Sequence, residues 1–184
     1  MKKVITFSMV FISIFLSFGL SACASSSKNS NDSQTEQSGV WAISYYVDEF
    51  NNPTDESYIS NSRYFVGSFS NSATTNSKLN VKILIDKKCC AIKLWEYGSQ
   101  LVKGYYDITY NITFLNNSGE KTYSTATLNE NSDRLILNDS NIVSLIKQNT
   151  SIRVYIEENS KYGYNSTYLF EIDGDNFNTI YNQL

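Results

Sequence analysis

The chain has 184 residues, of which 41% are hydrophobic and 14% aromatic, with 15 basic against 18 acidic side chains; that is enough for one domain with a sizeable core. A net charge of −3 excludes a general nucleic-acid binder, which needs a basic footprint. The absence of histidine excludes Ser-His and Cys-His nucleophile pairs and imidazole metal sites, and leaves carboxylate chemistry as the main route open to an enzyme.

Taken in chain order, Met1-Lys2-Lys3 is a basic head, and Val4 to Leu20 follows with no charge and many large apolar residues. A basic head, an apolar middle and small residues at the end are the parts of a secretory signal peptide. A membrane-spanning helix is the alternative for so long a run. Ser8, Ser13 and Ser17 interrupt it, however, and no charged flank follows. The closing residues Leu20-Ser21-Ala22-Cys23 resemble the lipobox of bacterial lipoproteins: an aliphatic residue, two small ones and a cysteine. In that family the cysteine sulfur receives a diacylglyceryl group, the chain is cut before it, and the new amino terminus is often acylated, with palmitate for example. The resemblance implies a signal peptide over 1–22, lipidation at Cys23 and a membrane as partner through that lipid. Two or more acyl chains anchor stably where one does not. Ala24 follows the cysteine in place of Asp. In a Gram-negative cell this implies the outer membrane, and in a Gram-positive cell the outer face of the plasma membrane. Residues 23–39 form the lipidated cysteine and a Ser/Asn-rich flexible tether, too poor in apolar residues to fold. Such a coil reaches roughly 22 Å on average.

The folded domain is expected over 40–184. Trp41, Ile43, Tyr45 and Val47 alternate with Ala42, Ser44 and Tyr46 as in a strand. Asp48 to Ser57 is polar, with Asn51-Asn52-Pro53, and reads as a turn cluster. Tyr58 to Phe69 is a second extended stretch, and Asn71 to Lys78 a loop. Leu79, Val81, Ile83 and Ile85 give the clearest strand; a tight Asp86-Lys87-Lys88 turn leads into Cys90 to Tyr97, making a hairpin. Tyr105 to Phe114 alternates again, Asn116-Asn117-Ser118-Gly119 is a hairpin turn, and Lys121 to Leu128 returns. Asn138 to Gln148 changes period: Ile142, Val143, Leu145 and Ile146 share a helical face, with Asp139 or Ser140 as cap and Lys147 at the end. Ser151 to Glu157 and Tyr164 to Ile172 are the last strands, joined by a turn at Tyr162-Gly163. Asp173-Gly174-Asp175-Asn176 then turns into a short segment carrying Phe177, Ile180 and Tyr181. The whole predicts an all-β class: an antiparallel β-sandwich or barrel-like domain with one or two short helices near the C-terminus.

Asp48, Glu49, Asp55 and Glu56 cluster around one loop beside Tyr45 and Tyr46, and these six are the candidate binding residues. Two carboxylates serve glycoside hydrolysis or a hard cation, whereas a solvated loop needs neither. Asp173, Asp175 and Asn178 partly resemble a calcium loop, but the remaining ligands are missing, so they read as a capped turn. No metal ligand set and no catalytic set are assigned. Tyr45, Tyr46, Tyr105, Tyr106, Tyr162 and Tyr164 suit either strand packing or a sugar- or peptide-binding face. Cys89 and Cys90 are adjacent, too close for an unstrained bridge; in a strand one side chain faces the core and the other solvent.

The block Tyr46-Val47-Asp48-Glu49-Phe50, Pro53-Thr54, Tyr58-Ile59, Gly67 to Thr74, Leu79, Val81 and Leu94-Trp95-Glu96-Tyr97 resembles a family of small uncharacterised bacterial and phage-borne proteins, which implies no activity. The second half is similar to VasI-type accessory proteins of type VI secretion and to invasion-associated locus B proteins. The likeness lies in a helix at Ile142 to Lys147, a strand at Ile152 to Ile156, and a strand, turn and apolar helix from Phe170 to Tyr181. That similarity implies a β-sandwich. The expectation is a lipid-anchored extracytoplasmic binding domain, not an enzyme, that recognises a protein or envelope component such as a glycan. It uses no cofactor beyond the lipid on Cys23 and no nucleic acid. A carboxylate-dependent envelope glycan hydrolase and a purely structural envelope lipoprotein are the alternatives.

Overall fold

The computed structural model describes residues 39–102, 108–128, 133–139, 141–160 and 165–184. The lipobox, Cys23, the tether as far as residue 38, Ser140, Tyr105, Tyr106, Tyr162 and Tyr164 lie outside these residues. The strands among them are β1 (Trp41–Val47), β2 (Pro53–Asn61), β3 (Phe65–Ser70), β4 (Ser77–Ile85), β5 (Cys90–Glu96), β6 (Gln100–Leu101), β7 (Ile108–Asn116), β8 (Lys121–Leu128), β9 (Leu135–Leu137), β10 (Ser151–Asn159) and β11 (Thr167–Asp173). Helices α1 (Asn141–Gln148) and α2 (Phe177–Tyr181) complete the set.

Every strand pairing is antiparallel, and eight strands close on themselves in the order β4-β3-β11-β10-β7-β8-β9-β5, with β5 returning to β4. The domain is therefore a barrel, not a sandwich. Closure rests on two long-range seams: β3 with β11, where Gly67 faces Phe170, and β4 with β5, from Leu79–Glu96 to Ile85–Cys90. An eight-stranded barrel is just wide enough for side chains to fill, and the alternating residues do fill it. Leu79, Val81, Ile83 and Ile85 of β4, Ile112 and Phe114 of β7, and Ile152, Val154 and Ile156 of β10 are all buried. The strand alternation that predicts these faces is what the structure shows.

The Gly67 seam is unusually close. A Cβ at Gly67 falls 2.2 Å from the Leu169 carbonyl oxygen and 2.7 Å from Phe170 Cβ, so the two strands approach only because no side chain stands there.

The registers put the start of β3 and β10, and the end of β4, β7 and β11, at one end of the barrel. The two helices follow or precede strands at this end. Trp41, fully buried, packs edge-on to Phe65 and Phe177, with ring centroids 5.7 and 4.9 Å away. Its indole Nε1 donates to the Asp173 carbonyl at 2.8 Å. Asn176, left-handed at φ 55°, turns its side-chain amide onto the backbone of Trp41, accepting from its N–H at 2.9 Å and donating to its carbonyl at 3.1 Å. Lys147 of α1 lies over the Tyr181 ring of α2 at 3.6 Å, a favourable cation–π distance. Asp139 Oδ1 accepts the Asn141 N–H at 3.1 Å and so serves the start of α1, as the sequence suggests.

Two expectations along the chain change. Pro53 to Ser57 is strand, not turn: it pairs with β1 through Val47–Pro53 and Tyr45–Ser57. This hairpin extends past the barrel, so its residues need no apolar face. The extended stretch Tyr58 to Phe69 breaks after Asn61, which is fully buried. Its Oδ1 accepts the Ile83 N–H at 2.7 Å, and its Nδ2 donates to the Val81 carbonyl at 3.0 Å and the Arg63 carbonyl at 2.7 Å. β4 pairs with β3 as far as Val81 and with β2 from Leu84. The Asn61 amide fills the gap between, supplying the donor and acceptor that a partner strand otherwise gives.

Candidate binding site

The six candidates from the sequence sit on the hairpin β1–β2, at the helix end. The structure brings Tyr46, Asp55 and Glu56 to one groove of about 300 Å³, shared with Asp86, Lys88 and Leu184. Tyr45, Asp48 and Glu49 do not line it. Asp48 caps the hairpin turn. Its Oδ1 accepts the Asn52 and Phe50 N–H groups at 2.8 and 2.9 Å, bonds that hold the carboxyl below its ordinary range. Glu49 and Tyr45 are exposed. Glu56 meets Lys88 at 3.4 Å in a solvent-facing pair, worth about 0–1 kcal/mol.

The group that organises this groove is Asp86, which the sequence reading treats only as part of a turn. It accepts the Lys88 and Cys89 N–H groups, both at 2.7 Å, and the Tyr46 hydroxyl at 2.8 Å. Burial opposes its ionisation, but these bonds outweigh it and hold the carboxyl low. Burial and the Asp86 carboxylate push the Tyr46 phenol up to about 12. Asp86 thus spends its oxygens closing the β4–β5 turn. Both well-ordered acids here are turn caps, and the rest face water. The arrangement does not converge on a reacting bond. Asp173 and Asn178 also serve backbone: Asp173 Oδ1 accepts the Asp175 N–H at 2.9 Å, and Asn178 Nδ2 donates to the Lys147 carbonyl at 3.0 Å. Among the described residues no three His, Cys, Asp or Glu side chains gather as a metal set.

Cys89 is exposed and Cys90 buried, both unbonded. Burial and Asp86 push the Cys89 thiol up, and near-complete burial pushes Cys90 further. Neither has the lowered pKa of a reactive cysteine.

The other end of the barrel carries a different constellation. Strand β5 places Ile92, Leu94 and then Glu96 in the inward phase; β10 places Ile152, Val154, Ile156 and then Glu158 likewise. Each inward row therefore ends on a carboxylate. Tyr110 of β7 and Tyr168 of β11 are 2% and 1% exposed, and both rings belong to the core. The Tyr168 hydroxyl donates to Glu96 Oε1 at 3.0 Å. Glu158 Oε2 accepts the Ser166 N–H at 3.2 Å. Phe69 forms an apolar wall, stacked on Tyr168 at 6.3 Å and met edge-on by Tyr97 at 4.9 Å.

Burial raises the Glu96 carboxyl above its ordinary value and Glu158 adds to this, against the Tyr168 bond, which lowers it. Burial and both carboxylates push the Tyr110 phenol well up, and Tyr168 is raised by burial and then by Glu96. Glu158 stands opposite Tyr110 across β10 and β7 and Tyr168 bonds Glu96, so two carboxylates and two phenols share this end of the barrel. Mouths of β-barrels are a recurrent place for ligands.

None of the four belongs to the candidates read from the sequence. A signal existed: an acid in the inward phase of a strand is costly unless it has a partner, and Glu96 and Glu158 both stand in that phase. The acidic loop stands out more, because a turn-capping carboxylate and a functional one look alike in sequence. Tyrosines also mark the outer wall, where Tyr123 and Tyr155 are 69% and 40% exposed. They flank Thr113 in one cross-strand row that ends on Leu169.

Comparison of the chain with profiles of known families, with curated proteins and with solved structures finds no match.

Proposed function

We propose that this chain is a lipid-anchored extracytoplasmic binding domain, held to a membrane through Cys23, that takes an envelope component at its barrel mouth. The observation that carries the binding half is the mouth itself. The barrel interior is packed with apolar side chains, yet its rim ends on Glu96, Glu158 and the Tyr110 and Tyr168 rings. The anchoring half rests on Leu20-Ser21-Ala22-Cys23 after a basic head and an apolar run.

The rival is a carboxylate-dependent glycan hydrolase. It needs one protonated and one ionised carboxyl flanking the sugar bond, and Glu96 with Glu158 is the pair to supply them. Both already accept hydrogen bonds from Tyr168 and Ser166, which suits holding a ligand more than cycling a proton. Incubation with envelope glycan should release no reducing ends.

Two measurements test the proposal. Cys23→Ala should leave an uncleaved or mislocalised precursor; membrane fractionation identical to the parent protein overturns the anchor. A photo-crosslinking residue at Tyr97, beside the mouth, should capture an envelope component in cells, and the same residue at Tyr45 should not. Equal capture at both positions overturns the mouth as the binding site.

A further inference from the structure

We infer that the barrel mouth is a receptor for an organic ammonium ion, held between the Glu96 and Glu158 carboxylates with the Tyr110 hydroxyl as a third contact. The inference deepens the binding reading above and rests on it.

Charge comes first. Glu96 and Glu158 are partly exposed and stand on separate strands of one rim. Among the described residues neither forms an ion pair with a lysine or arginine. Among the described residues, the groups that face Glu96 are Tyr168 of β11, which bonds it, and Glu158 of β10, which stands opposite Tyr110 of β7. None of these described groups brings a positive charge. Burial and then the nearby Glu158 make Glu96 costly to ionise, and a bound cation offsets that cost. An anionic ligand adds to it.

The second observation is the Tyr110 hydroxyl. The residue is 2% exposed, so its ring is fixed, and the described residues give its hydroxyl no hydrogen-bond partner. No side-chain oxygen or nitrogen sealed from solvent lacks a partner, so this oxygen is open to what enters the mouth. Tyr168 donates to Glu96; among the described residues no group donates to the Tyr110 hydroxyl. A lone pair beside two carboxylates suits an N–H donor with three hydrogens, which is an ammonium group.

Other ligand classes fit less well. Calcium takes six to eight oxygens, several from carboxylates, and the mouth offers two carboxylates with no third acid grouped with them among the described residues. A neutral sugar supplies hydroxyl donors but leaves the paired charge uncompensated. The aromatic wall of Phe69, Tyr97 and Tyr168 is suited to the methylene stem that carries an ammonium group.

The test is calorimetric titration of the full-length chain in detergent with cadaverine, and with pentane-1,5-diol as its uncharged counterpart. Cadaverine should bind and the diol should not compete. Glu96→Gln and Glu158→Gln should each weaken binding by about tenfold or more, and Tyr110→Phe by about tenfold, as for a hydrogen bond to a charged group. Unchanged tryptophan fluorescence checks that each variant is folded. Affinity should fall on acidification, as Glu96, whose carboxyl burial raises, takes up its proton. Equal binding of diol and diamine, undiminished affinity in Glu96→Gln, or displacement of cadaverine by calcium overturns the assignment. Envelope capture at Tyr97 that persists where cadaverine fails to bind removes the ammonium assignment and leaves the binding domain standing. Cadaverine binding with no capture in cells does the reverse.

Discussion

Replacing Asn61 by alanine should be the most damaging single change outside the apolar core. Its side chain makes three hydrogen bonds in a position with no solvent access, to Ile83 N at 2.7 Å, Val81 O at 3.0 Å and Arg63 O at 2.7 Å. Truncation leaves those three backbone groups without a partner. A buried group left unsatisfied costs about 1–3 kcal/mol. Entry of one water into the vacated space recovers part of that, since a water takes two to four bonds. The net loss should be about 3–5 kcal/mol, a large share of the ~5–15 kcal/mol that holds a domain together. At roughly 2–4 °C per kcal/mol for a domain of this size, the melting temperature falls by about 6–20 °C. Asn61→Asp is the discriminating control. It keeps the volume and the acceptor for Ile83 but turns an oxygen toward two carbonyls, so it should be no better than alanine. Urea unfolding followed by the fluorescence of Trp41 and Trp95 measures both. A loss under 1 kcal/mol for Asn61→Ala would refute the idea that this amide stands in for a missing strand.

Three more outcomes follow from the same physics. Gly67→Ala should destabilise by about 1–3 kcal/mol or more, as overpacking does, because its methyl meets the Leu169 carbonyl at 2.2 Å; a thermal melt unchanged from the parent would show that the β3–β11 seam yields. Glu96 has its carboxyl raised by burial, so the folded chain keeps that proton to higher pH than the unfolded one. Its cost is therefore absent in acid and develops as pH rises through the folded value. Glu96→Gln should melt at or above the parent temperature at neutral pH, with the gap closing toward pH 4; a gap that widens in acid refutes the sign. Among the two domain cysteines, a thiol reagent should label Cys89 slowly in the native chain and Cys90 only after denaturation, since one is exposed and the other buried; labelling of both at equal rates contradicts the packing.

Much of the barrel wall was legible because period-two alternation survives wherever one face is buried. Leu79 to Ile85 and Ile152 to Ile156 are read without error for that reason, as are the opposed fates of Cys89 and Cys90. Residues Pro53 to Ser57 were not, because a hairpin projecting from the barrel is wet on both faces and shows no alternation. Two-residue β6 and three-residue β9 are too short to show a period at all, and β9 is what carries the wall from β8 to β5. The choice between sandwich and barrel depends on the β3–β11 and β4–β5 seams, and one of these joins segments about a hundred residues apart. No local pattern encodes that pairing. The site was hidden differently: Glu96 and Glu158 are unremarkable until strand phase and barrel closure turn both inward at the same rim.

The clasp between Asn176 and the backbone of Trp41 has a directional consequence. It ties the first strand to the last turn at the helix end of the barrel, so whatever segment precedes Val40 joins the domain there. The Glu96 rim is the far end. The chain therefore enters the barrel at the end opposite the pair of inward carboxylates. Asn176→Gly keeps the left-handed turn but removes both side-chain bonds, so it should loosen the start of β1 while leaving the Glu96 rim intact.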